Sequence, residues 1–162
     1  MWLHALEGAD LDPRCGGKAA GLAHLLAAGL AVPDGFVLDD RAFHHAAGEL
    51  AVDDPAQVGG ALAAAAARRA AAALPDAIER EVIARVRALG PRLAVRSSAT
   101  IEDGAAGAAA GVFSSRRAVA PDDVWAAIRA VWTSALTPLA AAYARRRGGA
   151  IAIGVIVQAF VE

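Results

Sequence analysis

Cysteine occurs once in this 162-residue chain, at Cys15. A single thiol forms no internal disulfide, so nothing staples the fold covalently, and a reducing, cytoplasmic setting is expected. Nowhere do about 18 apolar residues run together without a charge or a glycine break, so no membrane span is expected. Met1-Trp2-Leu3-His4 lacks a basic segment ahead of a long apolar one, which argues against a secretory leader. An excess of one charge is missing too. The formal net charge is −1, and no basic face is large enough to suggest nucleic acid. Bulky side chains are thinly spread: the apolar fraction is 57%, yet 46 residues are alanine, which buries little area. The length still allows one core. Lysine is nearly absent: of 16 basic residues one is Lys18, and the other 15 are arginine.

What is present points at anions. Lys18 follows Cys15-Gly16-Gly17 and opens a predicted helix. An ammonium is a compact, mobile charge suited to phosphate oxygens, and the glycines permit close backbone approach. A cation in a first turn opposes the helix dipole, which hints at a ligand there. The competing explanation is a composition biased towards arginine that spared one lysine by accident. The second feature is Leu93 to Ser115, LAVRSSATIEDGAAGAAAGVFSS. A short strand ends in Arg96, then come Ser97, Ser98 and Thr100, the acids Glu102 and Asp103, and a run with Gly104, Gly107 and Gly111. Glycines let consecutive amides point at an anion, so the stretch reads as a phosphate loop or as a plain hairpin loop with a surface arginine. Glu102 and Asp103 read as acids that order the turn or bond Arg96, in preference to a magnesium site or a general base.

Along the chain, residues 1–15 predict an edge strand and a turn broken at Asp12-Pro13. Lys18 to Ala28 predicts a helix with a buried Leu22/Leu25/Leu26 stripe and Gly29 just past its end. Val32-Pro33-Asp34-Gly35 is a turn, Phe36-Val37-Leu38 a buried strand, and Asp39 or Asp40 caps a helix through Phe43 to Leu50. Asp54-Pro55 starts another helix. Ala61 to Ala73 is helical by propensity but offers almost nothing to pack, so it is expected on the surface. Ile78, Val82, Val86 and Leu89 mark a helix from Pro75-Asp76 to Gly90-Pro91. A strand at 112–119 leads to a helix whose inner face is Val124, Ile128, Val131 and Ala135, with Trp125 and Trp132 in the core. Thr137-Pro138 opens a helix through Tyr143, ended by Arg145-Arg146-Arg147 and Gly148-Gly149. Ile151 to Val161, apolar on both faces, predicts a central strand. His4, His24, His44 and His45 show no spacing that suggests a metal site, and His44-His45 reads as a surface pair.

The segments CGGKAAGLAHLLAAGLAVPDGFVL, LAVRSSATIED, Ala110-Gly111 and Ile156 to Val161 resemble, in order and spacing, the nucleotide-binding domain of the phosphoenolpyruvate synthase (pyruvate, water dikinase) family. The resemblance covers nearly the whole chain, and the relatives that phosphorylate rifamycin antibiotics share these segments. Pyruvate, phosphate dikinase fits less well, having a different loop after its arginine. The resemblance implies an α/β (α+β) chain, the first lobe of an ATP-grasp-like domain with helices packed on a small mixed sheet. It implies residues 1–162 as one partial domain, with the second lobe and the phosphohistidine and pyruvate domains absent. It implies ATP as ligand, with Lys18 and Arg96 as the catalytic phosphate-binding pair. Gly111 corresponds to the loop glycine over the phosphates, Ser115 falls near a loop threonine, and Gln158, Phe160 and Val161 match the strand leading to the hinge beside adenine.

This sequence departs from the family pattern in places. Val112 stands where the family usually has glutamine, Ala108 and Ala109 where it often has serine and phenylalanine, and Phe160 where it has methionine. The second lobe would begin where the sequence stops at Glu162, and that lobe would carry the Mg²⁺ carboxylates. The isolated chain is therefore expected to bind ATP weakly at best and to be catalytically silent, with a second chain or a C-terminal region completing the site. The whole reaction implied is phosphoenolpyruvate synthesis from pyruvate, ATP and water. Two alternatives are an antibiotic phosphotransferase and a non-catalytic module that binds a nucleotide or a partner.

Overall fold

A computed structural model of the chain describes residues 1–7, 11–48, 58–99, 112–146 and 150–161, with the side chains of 69–71 excepted. Among them five strands form one sheet: β1 (Leu3–Ala5), β2 (Gly35–Leu38), β3 (Leu93–Ala99), β4 (Ser115–Val119) and β5 (Ile153–Ala159), in the order β1-β2-β5-β3-β4. The predicted central strand is central, with β5 paired along its length to β2 and β3. The sheet is antiparallel in every described pairing, where the resemblance implied a mixed one. The reason lies in strand order. A helical crossover carries the chain from β2 to β3, which run the same way, and β5 then enters between them in the opposite sense.

The two faces of the sheet are unequally covered. Phe36 and Leu38 of β2, Leu93 and Val95 of β3, and Ile153, Val155 and Val157 of β5 point into the larger core. Five helices supply the rest of it: α2 (Asp40–Ala47), α3 (Val58–Ala71), α4 (Asp76–Leu89), α5 (Val124–Ala135) and α6 (Pro138–Arg146). On the opposite face Val37 and Ile156 pack with Leu6, Cys15 and Ala19, beneath α1 (Gly17–Ala27), the one α-helix on that face among the described residues. No described helix is long and apolar enough to cross a membrane.

Most helices follow the predicted faces. Val82 and Val86 of α4 are buried, as are Val124, Ile128, Val131, Trp132 and Ala135 of α5, while Trp125 is partly buried against the same core. The Asp39 side chain caps α2 by accepting from the Arg41 amide at 3.0 Å. Thr137 accepts from the Ala140 amide at 3.2 Å and so starts α6.

Four expectations change. The buried stripe of α1 is Ala19 and Ala23; Leu22 and Leu26 flank it, and Leu25 is exposed. The helix lies too close to the sheet for leucine to fit beneath it. The alanine-rich α3 is anchored, because Val58, Leu62 and Ala65 are buried in the main core. Its small side chains allow close approach of neighbouring helices, and Arg68 reaches the Ala47 carbonyl at the end of α2, 2.9 Å away. The return strand begins at Ser115 and not at residue 112, because the Ser114 amide donates to Ser134 Oγ of α5 at 2.9 Å and not to the strand ladder. The expected histidine surface pair splits: His45 is exposed, its ring 5.4 Å from that of Trp2, while His44 is half-buried beside Phe43. The predicted helix start at Asp54-Pro55 and the Gly148-Gly149 stop lie outside the described residues.

Candidate functional site

Strand alternation sets up the site. In β3 Leu93 and Val95 turn into the main core, so Ala94, Arg96 and Ser98 turn to the sparsely covered face. In β5 Ile156 packs on that face, and Gln158 shares it. Ser115 lies opposite Arg96, which brings β4 to the same side. Two residues on, Arg117 shares that side. Ala118 then adopts a positive φ of 54° in a bulge, so Val119 pairs with Leu93 and rejoins the core.

The loop before α1 is bolted to this face. Gly16 has φ +81°, and a Cβ there would lie 2.3 Å from the Ser98 carbonyl oxygen. Gly154 faces the Cys15 carbonyl, with a built Cβ 2.8 Å from its oxygen. Gly16 has no side chain to cap α1, so Ser98 Oγ takes that part and accepts from the Ala19 amide at 3.0 Å. The close approach read from Gly16 is therefore towards β3. Ser97 and Ser98, read as phosphate-facing hydroxyls, are both buried. Lys18 sits in this first turn, beside the residue whose amide meets Ser98 and one helix turn before Leu22.

Beside α1 a cavity of about 420 Å³ opens, lined by Leu22, Pro33, Ala94, Arg96, Ser115, Arg117, Gln158, Ala159, Phe160 and Val161. The fold thus gathers five of the predicted site residues: Arg96 from β3, Ser115 from β4, Gln158 from β5, and Phe160 and Val161 just past its end. Lys18 stands on the adjoining turn of α1 and is not in the lining. Gly111, Thr100, Glu102 and Asp103 lie outside the described residues. Sequence reasoning missed Leu22, Pro33, Ala94 and Arg117. Period-two spacing from Arg96 and from Ser115 was the signal for Ala94 and Arg117.

The lining is divided by chemistry. Two guanidiniums and the Ser115 hydroxyl occupy the β3–β4 side, and the described lining contains no carboxylate. Leu22, Pro33, Ala94, Phe160 and Val161 form an apolar side. Gln158 is buried, and its side-chain amide donates to the Pro33 carbonyl at 3.0 Å. Gly35 is obligatory opposite it, since a Cβ there would lie 2.6 Å from Gln158 Cγ. Phe160 is held by a hydrogen bond from its amide to the Arg92 carbonyl, 3.0 Å, with the Arg92 guanidinium 5.6 Å from its ring centre. A hard divalent cation needs oxygen ligands, so this lining does not fit Mg²⁺ by itself.

One histidine-carboxylate group does form, contrary to the reading from spacing: the ligand atoms of His4, Asp12 and Asp39 lie within 4.8 Å of one another. A cation is already present there. The Arg41 guanidinium pairs with Asp39 and lies 3.8 Å from Asp12, while His4 Nε2 is 2.8 Å from Asp39. Burial pushes the Asp39 carboxyl up, but the hydrogen bonds from Arg41 and His4 outweigh it and leave its pKa below the ordinary value. This group ties β1 to the start of α2.

Comparison with known proteins bears on the cavity. Residues 12–162 match the family described as pyruvate phosphate dikinase, AMP/ATP-binding domain. The prodigiosin synthesizing transferase PigC of Serratia marcescens is 34% identical over 156 residues, 94% of this chain and 18% of that protein. A phosphoenolpyruvate synthase of Aeropyrum pernix is 33% identical over 124 residues, 64% of this chain and 15% of that protein. The chain therefore spans less than a fifth of the length of either relative.

Proposed function

The chain belongs to the pyruvate phosphate dikinase AMP/ATP-binding domain family, and from that premise we propose that it is the first lobe of the ATP site of a phosphoenolpyruvate synthase-like phosphotransferase. The observation that carries the reading is the cavity, which joins two guanidiniums to an apolar wall at the end of the central strand. Among the described residues no ion pair holds Arg96 or Arg117. Cations kept together without a carboxylate repel one another, and a polyanion relieves that repulsion.

In this reading Arg96 contacts the phosphate chain from β3, and Lys18 contacts it from the first turn of α1. Both neutralise charge that builds on the phosphoryl oxygens during transfer. Ser115 donates its hydroxyl, and Gly111 lies over the phosphates. Adenine rests on Leu22, Ala94 and Phe160, beside the backbone of Val161. Gln158 acts indirectly, by locking the Pro33 turn onto the strand that ends at the hinge. The whole enzyme converts ATP, pyruvate and water to phosphoenolpyruvate, AMP and phosphate. A second lobe, in the same or another chain, supplies the Mg²⁺ ligands and the far wall. The buried free thiol of Cys15 suits a cytoplasmic setting.

The test is a calorimetric titration of ATP against the wild-type chain, Lys18→Ala and Arg96→Ala, with unfolding midpoints checked first. A charge-assisted hydrogen bond contributes about 1.5–3 kcal/mol, so each variant should lose roughly tenfold or more in affinity. Unchanged affinity in both folded variants would overturn the assignment. A coupled pyruvate- and ATP-dependent assay should show no turnover by the 162-residue chain alone. Turnover there would refute the single-lobe part of the proposal.

A further inference from the structure

We infer that Arg117 is an additional phosphate-contacting residue of this cavity, reading the polyphosphate chain from β4 as Arg96 does from β3. The inference deepens the ATP assignment and rests on it.

The strand register makes the argument. Ser115 lies opposite Arg96 and Arg116 opposite Val95; the register then shifts, so Arg117 and Ala118 together span the step at Ala94 before Val119 meets Leu93. Side chains alternate along a strand, which turns Ser115 and Arg117 to the cavity and Arg116 to the other face. Both Ser115 and Arg117 line the cavity. The bulge at Ala118 comes directly after Arg117 and turns Val119 back into the core. Arg117 is thus the last residue of β4 to face the cavity. On an edge strand, the extra residue separates the cavity-facing part of β4 from the part that anchors it.

The electrostatics agree. Arg96 and Arg117 sit on neighbouring strands, two positions apart in register. Arginine side chains are long enough for both forks to reach one polyphosphate and bind it bidentately. The described lining of this cavity contains no carboxylate; Asp123 lies in the neighbouring groove against α5, which Arg117 and Arg116 also border. A solvated arginine on an edge strand is the ordinary alternative, and it predicts no effect on nucleotide binding.

The experiment titrates ATP, ADP and AMP against the wild-type chain, Arg117→Ala, Arg117→Lys, Arg116→Ala and Arg96→Ala, each shown to unfold at a comparable midpoint. Arg117→Ala should weaken ATP binding about tenfold and AMP binding less than about threefold. Arg117→Lys should recover part of the loss, and Arg116→Ala, a charge removed from the opposite face, should bind ATP as wild type does. If Arg96→Ala loses ATP while Arg117→Ala keeps wild-type affinity, this inference is wrong and the ATP assignment stands. Equal losses in Arg116→Ala and Arg117→Ala also overturn it, since they mean general attraction by a basic edge. If neither Arg96→Ala nor Arg117→Ala changes ATP binding, the ATP assignment fails and takes this inference with it.

Discussion

Cys15 is fully buried where the loop before α1 meets the sheet, its carbonyl pressed against Gly154. Burial pushes its thiol up from 9.0 to about 12, helped by the nearby carboxylates of Asp39 and Asp12 and opposed by Arg41. The sign follows from linkage. Below pH 9.0 the thiol is protonated in both folded and unfolded chains, and its contribution is constant. Between 9.0 and about 12 the unfolded chain loses the proton while the folded chain keeps it, so stability falls as pH rises through that window. Denaturant unfolding at pH 8 and pH 10.5 should therefore show a steeper loss in the wild type than in Cys15→Ala. The difference in slope should be about 2 kcal/mol over that interval, from roughly 1.4 kcal/mol per pH unit above the free-thiol value. Identical slopes would mean that the thiol is not the titrating group. The sequence marks Cys15 as solitary; its burial comes from the glycines around it, Gly16 and Gly154, which are far apart in the chain and meet only in the fold.

At the scale of elements, the informative case is α3. Composition alone suggests a helix with nothing to bury, yet Val58 and Leu62 reach the core and Ala65 fills the space between. Leu62 therefore carries much of the anchoring. Leu62→Ala should cost about 2–5 kcal/mol in a chemical melt, because truncating a side chain buried in the main core leaves a cavity there. Ala63→Ser, on the exposed side, should stay within about 0.5 kcal/mol. A loss below about 1 kcal/mol for Leu62→Ala would place α3 outside the cooperative core. The contrast shows what local pattern can and cannot convey. The faces of α4 and α5 are legible because bulky residues recur at helical spacing. The stripe of α1 is misread because clearance above the sheet, set by Gly16, Ser98 and Gly154, favours Ala19 and Ala23 over leucine. The start of β4 is hidden because a single hydrogen bond, from Ser114 to Ser134, takes the chain out of the ladder.

At the scale of the molecule, the described residues form a sheet with five α-helices on one face and one on the other, and the cavity lies where that one helix leaves the strands uncovered. Much of this site is legible in the sequence because its residues fall in short motifs at strand ends, where register is forced by the buried alternation. Arg117 is legible only indirectly, through its period-two spacing from Ser115, because an arginine pair on an edge strand reads as solvated until the pairing with β3 fixes which member faces inward. The architecture predicts how protection from amide exchange is distributed. β5 is paired on both sides and buried on both faces, so the amides of Val155 to Val157 should exchange only through global unfolding. β1 and β4, at the two edges, should exchange faster. Saturating ATP stabilises only the states that bind it. Beyond any uniform gain, it should add local protection at the first turn of α1, at 94–96 of β3, at 115–117 of β4 and at 158–161, the strands and turn around the cavity. The α2–α3 layer lies across the sheet and should show no local gain. Protection centred on α2 and α3, with none on β3 and β4, would move the nucleotide to the other face and remove Lys18 and Arg96 from its site.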